Sequence, residues 1–226
     1  MGAQKVEQTT REDKIKQPYQ AALKNLGEMG NVQNEEAIDG SKEMGATTPI
    51  KDELFDKWLH HLNKHTSQKW VREASGEIQS ESTVLHPMVI LRKSFRDFQK
   101  KEYMVEKAHQ GNSYIHFRLG TSDLFGSVQT VFQSAQIPNS TFLEVAVFVD
   151  LAKMDNCPKP FRKLSSLHYQ LLRRPNPAQT LVLTQDEVMG HIACLTNPPG
   201  VFGVGTETIS IAVVHHLGLT TSGGPV

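Results

Sequence analysis

"TFLEVAVFVDLA", Thr141 to Ala152, carries the strongest indication of fold class in the chain. From Phe142 to Leu151 it is a nearly continuous apolar run rich in β-branched residues. Such a run, bounded by turn signals, is the best candidate for a central strand. The segments on either side carry the same message. "YIHFRLG" alternates, with Tyr114, His116 and Arg118 on one face and Ile115, Phe117 and Leu119 on the other. "LFGSVQTVFQSAQ" is expected to place Val128 and Phe132 on one face and Val131 with Gln129 on the other, with a turn at "IPNS" after it. "TLVLT", "VMGHIACL" and "TISIAVV" read as further strands, while "LHYQLLRR" fits strand or short helix. Short strands at regular intervals with little helix predict an all-β core.

One segment upstream has a different period. In "TTPIKDELFDKWLHHLNKHT", Leu54, Phe55, Trp58, Leu59 and Leu62 form one apolar stripe with a 3.6-residue repeat. Thr48 is the expected N-cap, Pro49 the first helical residue, and Asp52 and Glu53 place acid in the first turn. This helix, 49–66, is expected to dock on the β-domain. Before it, residues 1–48 hold a single aromatic residue, Tyr19, among many Gln, Glu, Lys, Asn and Gly. Such a composition buries too little apolar surface to offset the entropy of ordering, so 1–48 reads as a disordered tail. The β-domain is expected over 67–220, with a flexible C-terminus at 221–226.

Hydrophobic residues make up 38% of the 226, and the shortfall lies mainly in that tail. Lys+Arg and Asp+Glu both number 24, so bulk charge gives no support to non-specific nucleic-acid binding. "MGAQKVEQTTRED" has no apolar core, no run reaches the length of a membrane span, and cysteine is scarce. An intracellular location with reduced thiols, and no membrane partner, is therefore expected.

The candidate chemistry is incomplete at each place where it begins. His191 and Cys194, with Asp186 just before them, are the residues an alternative small hydrolase or nuclease would use. No recognised nucleophile signature surrounds them, so no catalytic residue is assigned. "GVFGVG" (Gly200–Gly205) lacks the Lys-Ser/Thr of a phosphate loop, and its glycines read as a Pro-Gly bend into the last strand. His61 and His65 stand at i, i+4 on the helix, the spacing of two metal ligands. No third ligand is tied to them in sequence, so they read as exposed helix histidines, and neither metal nor cofactor is expected. A basic set, Arg162, Lys163, Arg173 and Arg174 with Tyr169, is the candidate surface for a nucleic acid or other partner.

Two resemblances follow from framework positions. Gly126, Val128, Val131, Phe148, Leu183, Val188, Gly190 and Ile192 resemble the pattern of bromo-adjacent homology domains, which are SH3-like β-barrels of chromatin proteins. "HIACLTNPPGVFG" within the region 84–217 resembles the β-rich C-terminal region of proteins encoded by fungal and plant CACTA-type transposons. The first resemblance implies an SH3-like barrel. Together they imply a transposon-derived, non-catalytic module, nuclear rather than cytoplasmic, with a protein or chromatin partner and DNA as the lesser expectation. A degenerate transposon remnant is the further alternative.

Overall fold

The structure is a computed structural model and describes residues 46–73, 81–151, 160–161 and 169–213. Strand β1 (Thr47–Pro49) leads to helix α1 (Asp52–His65). Then come β2 (Lys69–Arg72), β3 (Ser82–Leu85), β4 (Met88–Arg92), β5 (Ser94–Arg96) and β6 (Glu102–Met104). The body of the sheet is β7 (Tyr114–Leu119), β8 (Ser122–Ser134), β9 (Ile137–Val147) and β10 (Val149–Asp150). It is completed by β11 (Tyr169–Arg173), β12 (Thr180–Thr184), β13 (Val188–Asn197) and β14 (Thr208–Val213).

Ten strands form one sheet in the order β1-β4-β8-β7-β13-β14-β11-β10, with β9 and then β12 branching from β8. The branch exists because β8 is long. Its N-terminal half pairs with β7 and its C-terminal half with β4, while β9 runs along its other side. The sheet curls strongly, since β9 continues through Phe148 into β10, which pairs with β11 at the far end. It does not close into a barrel, and the expected SH3-like or bromo-adjacent-homology-like barrel is corrected here. Closure needs the last strand to pair with the first at a fixed stagger. Here β9 gives its remaining edge to β12, and two-residue β10 pairs with β11 alone, so the hydrogen-bonded path stays open.

Both faces of the sheet around β9 are covered, which is why Phe142–Leu151 reads as an apolar run rather than an alternating one. Phe132, Phe142 and Val182 face α1 and pack with Leu54, Phe55, Trp58 and Leu62. Leu143, Val145 and Leu183 face the opposite way, with Ile115, Phe117, Val128 and Val131, and are capped by Phe95 and Tyr103 from the β5–β6 hairpin. The expected faces of β8 are corrected by one residue. Gln129 is an extra residue between the pairs Val128–Val145 and Thr130–Glu144. This bulge reverses the alternation beyond it, so Val131 joins Val128 and Phe132 turns to the helix.

The helix stripe is as the sequence predicts, but its start is not. Thr48 and Pro49 pair with Val89 and Met88 in β1, so neither belongs to the helix. The helix begins at Asp52, with Lys51 at the N-cap. The turn expected at "IPNS" is also displaced: Ile137–Ser140 belong to β9, and the chain reverses at Ala135 and Gln136. Pro87 divides the apolar run Val84–Leu91 into β3 and β4. Residues 1–45 and 214–226 lie outside the described residues, and with them most of the tail and the C-terminal segment. Among the described residues, no helix is long and apolar enough to cross a membrane.

Candidate metal centre

Helix α1 is tied at several points along its length, to β12 of the ten-stranded sheet and to β2, which pairs with β3 in a separate two-stranded sheet. Lys57 Nζ donates to Thr180 Oγ1 on β12 at 2.6 Å, and Thr180 donates on to Glu144 of β9 at 3.0 Å. Asn63 bonds the backbone of Trp70 in both directions, at 2.8 and 3.0 Å. Arg72 bridges Asp52 and Asp56 at 3.0 and 2.7 Å. Between these ties Trp58 is fully buried, edge-on to both Phe132 and Phe142 with centroids 5.4 Å away. The face that carries Lys57 therefore lies along β12, and 3.6-residue periodicity brings His61 and His65 to the same face.

β12 ends in a single 3-10 turn, Gln185–Glu187, before β13 begins. This turn is closed by a capping box. Thr184 is the N-cap, and Glu187 Oε2 reaches back to the Thr184 backbone N–H at 2.8 Å and to its hydroxyl at 3.1 Å. The box fixes Glu187 against the C-terminal half of α1. His61 Nε2 lies 3.9 Å from Glu187 Oε2, and the ring of His65 stacks on that of His61 at 4.5 Å. One ligand atom each from His61, His65 and Glu187 lie within 4.8 Å of one another.

The three residues differ in environment. His61 is buried, edge-on to Phe142 at 6.3 Å. Burial lowers its pKa below the ordinary imidazole value; Glu187 opposes that shift and His65 adds to it. A neutral imidazole is the form that ligates a metal. Glu187 is half-buried, and both of its capping bonds fall on Oε2, so Oε1 makes none of them. His65 is exposed, so the set is open to solvent on that side.

This arrangement corrects the reading of His61 as an exposed helix histidine, while His65 is exposed as expected. His61 is inside, and a third candidate donor, Glu187, comes from a turn distant in sequence. The local signal that could have found Glu187 is "TQDE", a Thr-x-x-Glu capping box immediately before an apolar strand. It locates Glu187 on a turn, yet nothing in it says which helix the turn will meet.

The other candidates are dispersed. His191 and Cys194 lie three apart on one strand, a spacing that sends their side chains to opposite faces. His191 stacks on Tyr103 at 4.1 Å, its Nδ1 is buried without a hydrogen-bond partner, and burial lowers its pKa. Cys194 packs against the cluster of Tyr114, Phe148 and Ile192, and burial raises its thiol pKa, the reverse of an activated nucleophile. Asp186 is exposed on the turn that precedes their strand. Of the basic set, Arg162 and Lys163 lie outside the described residues. Arg174 is engaged in the fold. It pairs with Glu106 at 2.7 Å, donates to Tyr114 Oη at 2.8 Å and lies over the Tyr114 and Phe148 rings. Arg173 has a buried Nε without a partner, and Tyr169 contacts Phe161 at 5.9 Å. At "GVFGVG", Gly200 and Gly203 take left-handed backbone, φ 89° and 74°, and form the bend into β14.

A cavity of about 160 Å³ is lined by Asp123, Phe125, Phe148, Asp150, Gln170 and Leu172, among others. Its Asp123 is already held by Arg118 at 2.8 Å and His116 at 3.1 Å.

No family model, no curated protein and no solved structure matches the chain. The resemblances to bromo-adjacent homology domains and to CACTA-type transposon proteins are therefore not upheld, and the open sheet argues against the first independently. The positions that carried them have local explanations. Val128, Val131, Leu183 and Val188 are inward residues of adjoining strands, and Ile192 fills a neighbouring core cluster. Gly126 is required because a Cβ there would come within 2.4 Å of the Ala146 carbonyl oxygen. Such a pattern marks strand–turn–strand packing and not a lineage. The transposon-derived interaction module built on it, with its chromatin or nucleic-acid role, falls with it.

Proposed function

We propose that the chain is a divalent-metal protein whose centre is His61, His65 and Glu187, with metal-assisted hydrolysis as its reaction class. The observation that carries the reading is the convergence of two imidazoles and one carboxylate from a helix and a turn far apart in sequence. Two His and one carboxylate is a donor set suited to zinc, and a site with three protein ligands keeps a fourth position for water. Ligand atoms around one zinc ion stand about 3.4 Å apart, as tetrahedral geometry at ~2.1 Å bond lengths requires. His61 and Glu187 are held 3.9 Å apart by packing and by the capping box, so joint ligation asks them to close by about half an ångström and the exposed His65 side chain to rotate toward them. Thr184 is then the outer partner that orients the carboxylate. In that site the ion would lower the pKa of its bound water and supply hydroxide at neutral pH.

The test is calorimetric titration of the purified chain with Zn²⁺, run beside hydrolysis of an activated ester and of a phosphodiester with and without the ion. Stoichiometric binding removed by His61→Ala, with turnover that depends on the ion and on Glu187, supports the reading. Binding that raises stability without turnover reduces the centre to a clamp between α1 and the β12–β13 turn. Absence of binding removes the centre altogether.

A further inference from the structure

The β5–β6 hairpin ends in Asp97-Phe98-Gln99-Lys100-Lys101, and Phe98 at its apex is 92% exposed. The next most exposed large apolar residues, Leu91 and Met189, reach 50%. The loop that presents Phe98 is tightly built. Asp97 Oδ1 accepts from the Gln99 and Lys101 backbone N–H groups at 2.8 and 3.0 Å, and Asp97 Oδ2 accepts from Tyr103 Oη at 3.0 Å. Two backbone bonds close the turn, Asp97 N–H to the Lys101 carbonyl and Lys100 N–H to the Asp97 carbonyl. Beneath it the rings of Phe95 and Tyr103 stack at 4.8 Å, and Tyr103 is fully buried. Phe98 is thus held outward by a turn anchored in the core.

Charge around the apex is mostly positive. From 93 to 102 there are four cations, Lys93, Arg96, Lys100 and Lys101, against two carboxylates: Asp97, which the turn already uses, and Glu102, which stands opposite Arg96 across the hairpin and accepts from Ser94. None of the four is in an ion pair among the described residues. The whole chain has equal numbers of acidic and basic residues, 24 of each, so this local excess is a feature of the tip and not of the surface at large.

We propose that this tip is a contact for an anionic lipid surface, with Phe98 entering the boundary of the acyl region and the four cations at the level of the headgroup phosphates. The order of depth is the one an interface selects: an aromatic apex in front, long cationic side chains just behind. A convex apex with one apolar residue suits a fluid surface, which needs no preformed pocket to receive it. Such contact lies on a membrane and does not cross it, in keeping with the absence of a spanning helix among the described residues. One aromatic and four cations give weak, reversible and salt-sensitive attachment. The inference is independent of the metal centre.

The experiment is co-sedimentation of the full chain with phosphatidylcholine vesicles, with and without phosphatidylserine, at low and high salt. The expected result is binding only to the phosphatidylserine vesicles, lost at high salt. Phe98→Ser is expected to weaken it by about tenfold, the burial of one aromatic side chain. The double variant Lys93→Glu, Arg96→Glu is expected to weaken it by more than about tenfold. All three substitutions are on exposed residues, and unchanged circular dichroism of each variant confirms an intact fold. No sedimentation with phosphatidylserine vesicles at low salt overturns the proposal, as does Phe98→Ser sedimenting like the parent. Capture of a single-stranded oligonucleotide in place of the vesicles also overturns it.

Discussion

His61 Nε2 and Glu187 Oε2 stand 3.9 Å apart, one on the docking helix and the other on the turn between β12 and β13. The separation is longer than a hydrogen bond and near that of two ligands on one ion. We expect His61→Ala to lower Zn²⁺ affinity by at least about a hundredfold, and Thr184→Ala, which removes the hydroxyl bond to Glu187 but keeps the backbone N–H bond, by up to about tenfold. Calorimetry on the variants decides it; His61→Ala binding as the parent does would sink the centre.

Trp58 joins the helix to the sheet, and its removal leaves a void between the helix and the stacked rings of Phe132 and Phe142. Trp58→Ala is expected to cost about 3–5 kcal/mol. Urea unfolding measures it. A loss under about 1 kcal/mol would mean that the helix is not an integral part of the core.

Two glycines that sequence alone treats alike should respond differently. At Gly126 an added Cβ meets the Ala146 carbonyl oxygen at 2.4 Å and Val145 Cγ1 at 2.7 Å, whereas at Gly190 nothing lies within 4 Å. Gly126→Ala is expected to destabilise by about 1–3 kcal/mol, and Gly190→Ala by less than about 0.5 kcal/mol. Equal midpoints in thermal unfolding would contradict the close approach of β8 and β9.

Burial depresses the pKa of His191 in the folded state. The unfolded chain then binds more protons than the folded one between the folded value and about 6.5. Stability therefore rises with pH through that window, and acid below it favours unfolding. Replacing His191 by Phe should reduce the slope of stability against pH between about 5 and 7 without reversing it, because His61 is shifted the same way. An unchanged slope would show that His191 titrates alike in both states.

Arg174 and Glu106 form an ion pair at 2.7 Å, and Glu106 also accepts from Gln129 at 2.7 Å and Ser127 at 3.0 Å. Burial opposes ionisation of Glu106, but the bonds from Gln129 and Arg174 outweigh it and keep the carboxyl below its ordinary range. A double-mutant cycle with Glu106→Gln and Arg174→Met should give a coupling of about 1 kcal/mol. A coupling near zero would return Arg174 to the pool of free surface cations.

The local character of the chain was legible in the order of its residues. The two-residue period of Tyr114–Leu119 and the apolar run from Phe142 gave the strands, and the stripe from Leu54 to Leu62 gave the helix, because these patterns depend only on neighbours in the chain. The capping box at Thr184–Glu187 is local in the same way. Everything that depends on which elements meet came instead from packing in three dimensions. The bulge at Gln129 inverts the faces of β8, and no residue pattern announces it. The sheet stays open because β9 pairs with β12 instead of completing a ring. Likewise His61 and Glu187 become neighbours only because α1 lies along β12, held by Trp58 against Phe132 and Phe142 and by Lys57 on Thr180. A ligand set split between two distant elements has no spacing to read, since its geometry is fixed by packing and not by the covalent chain.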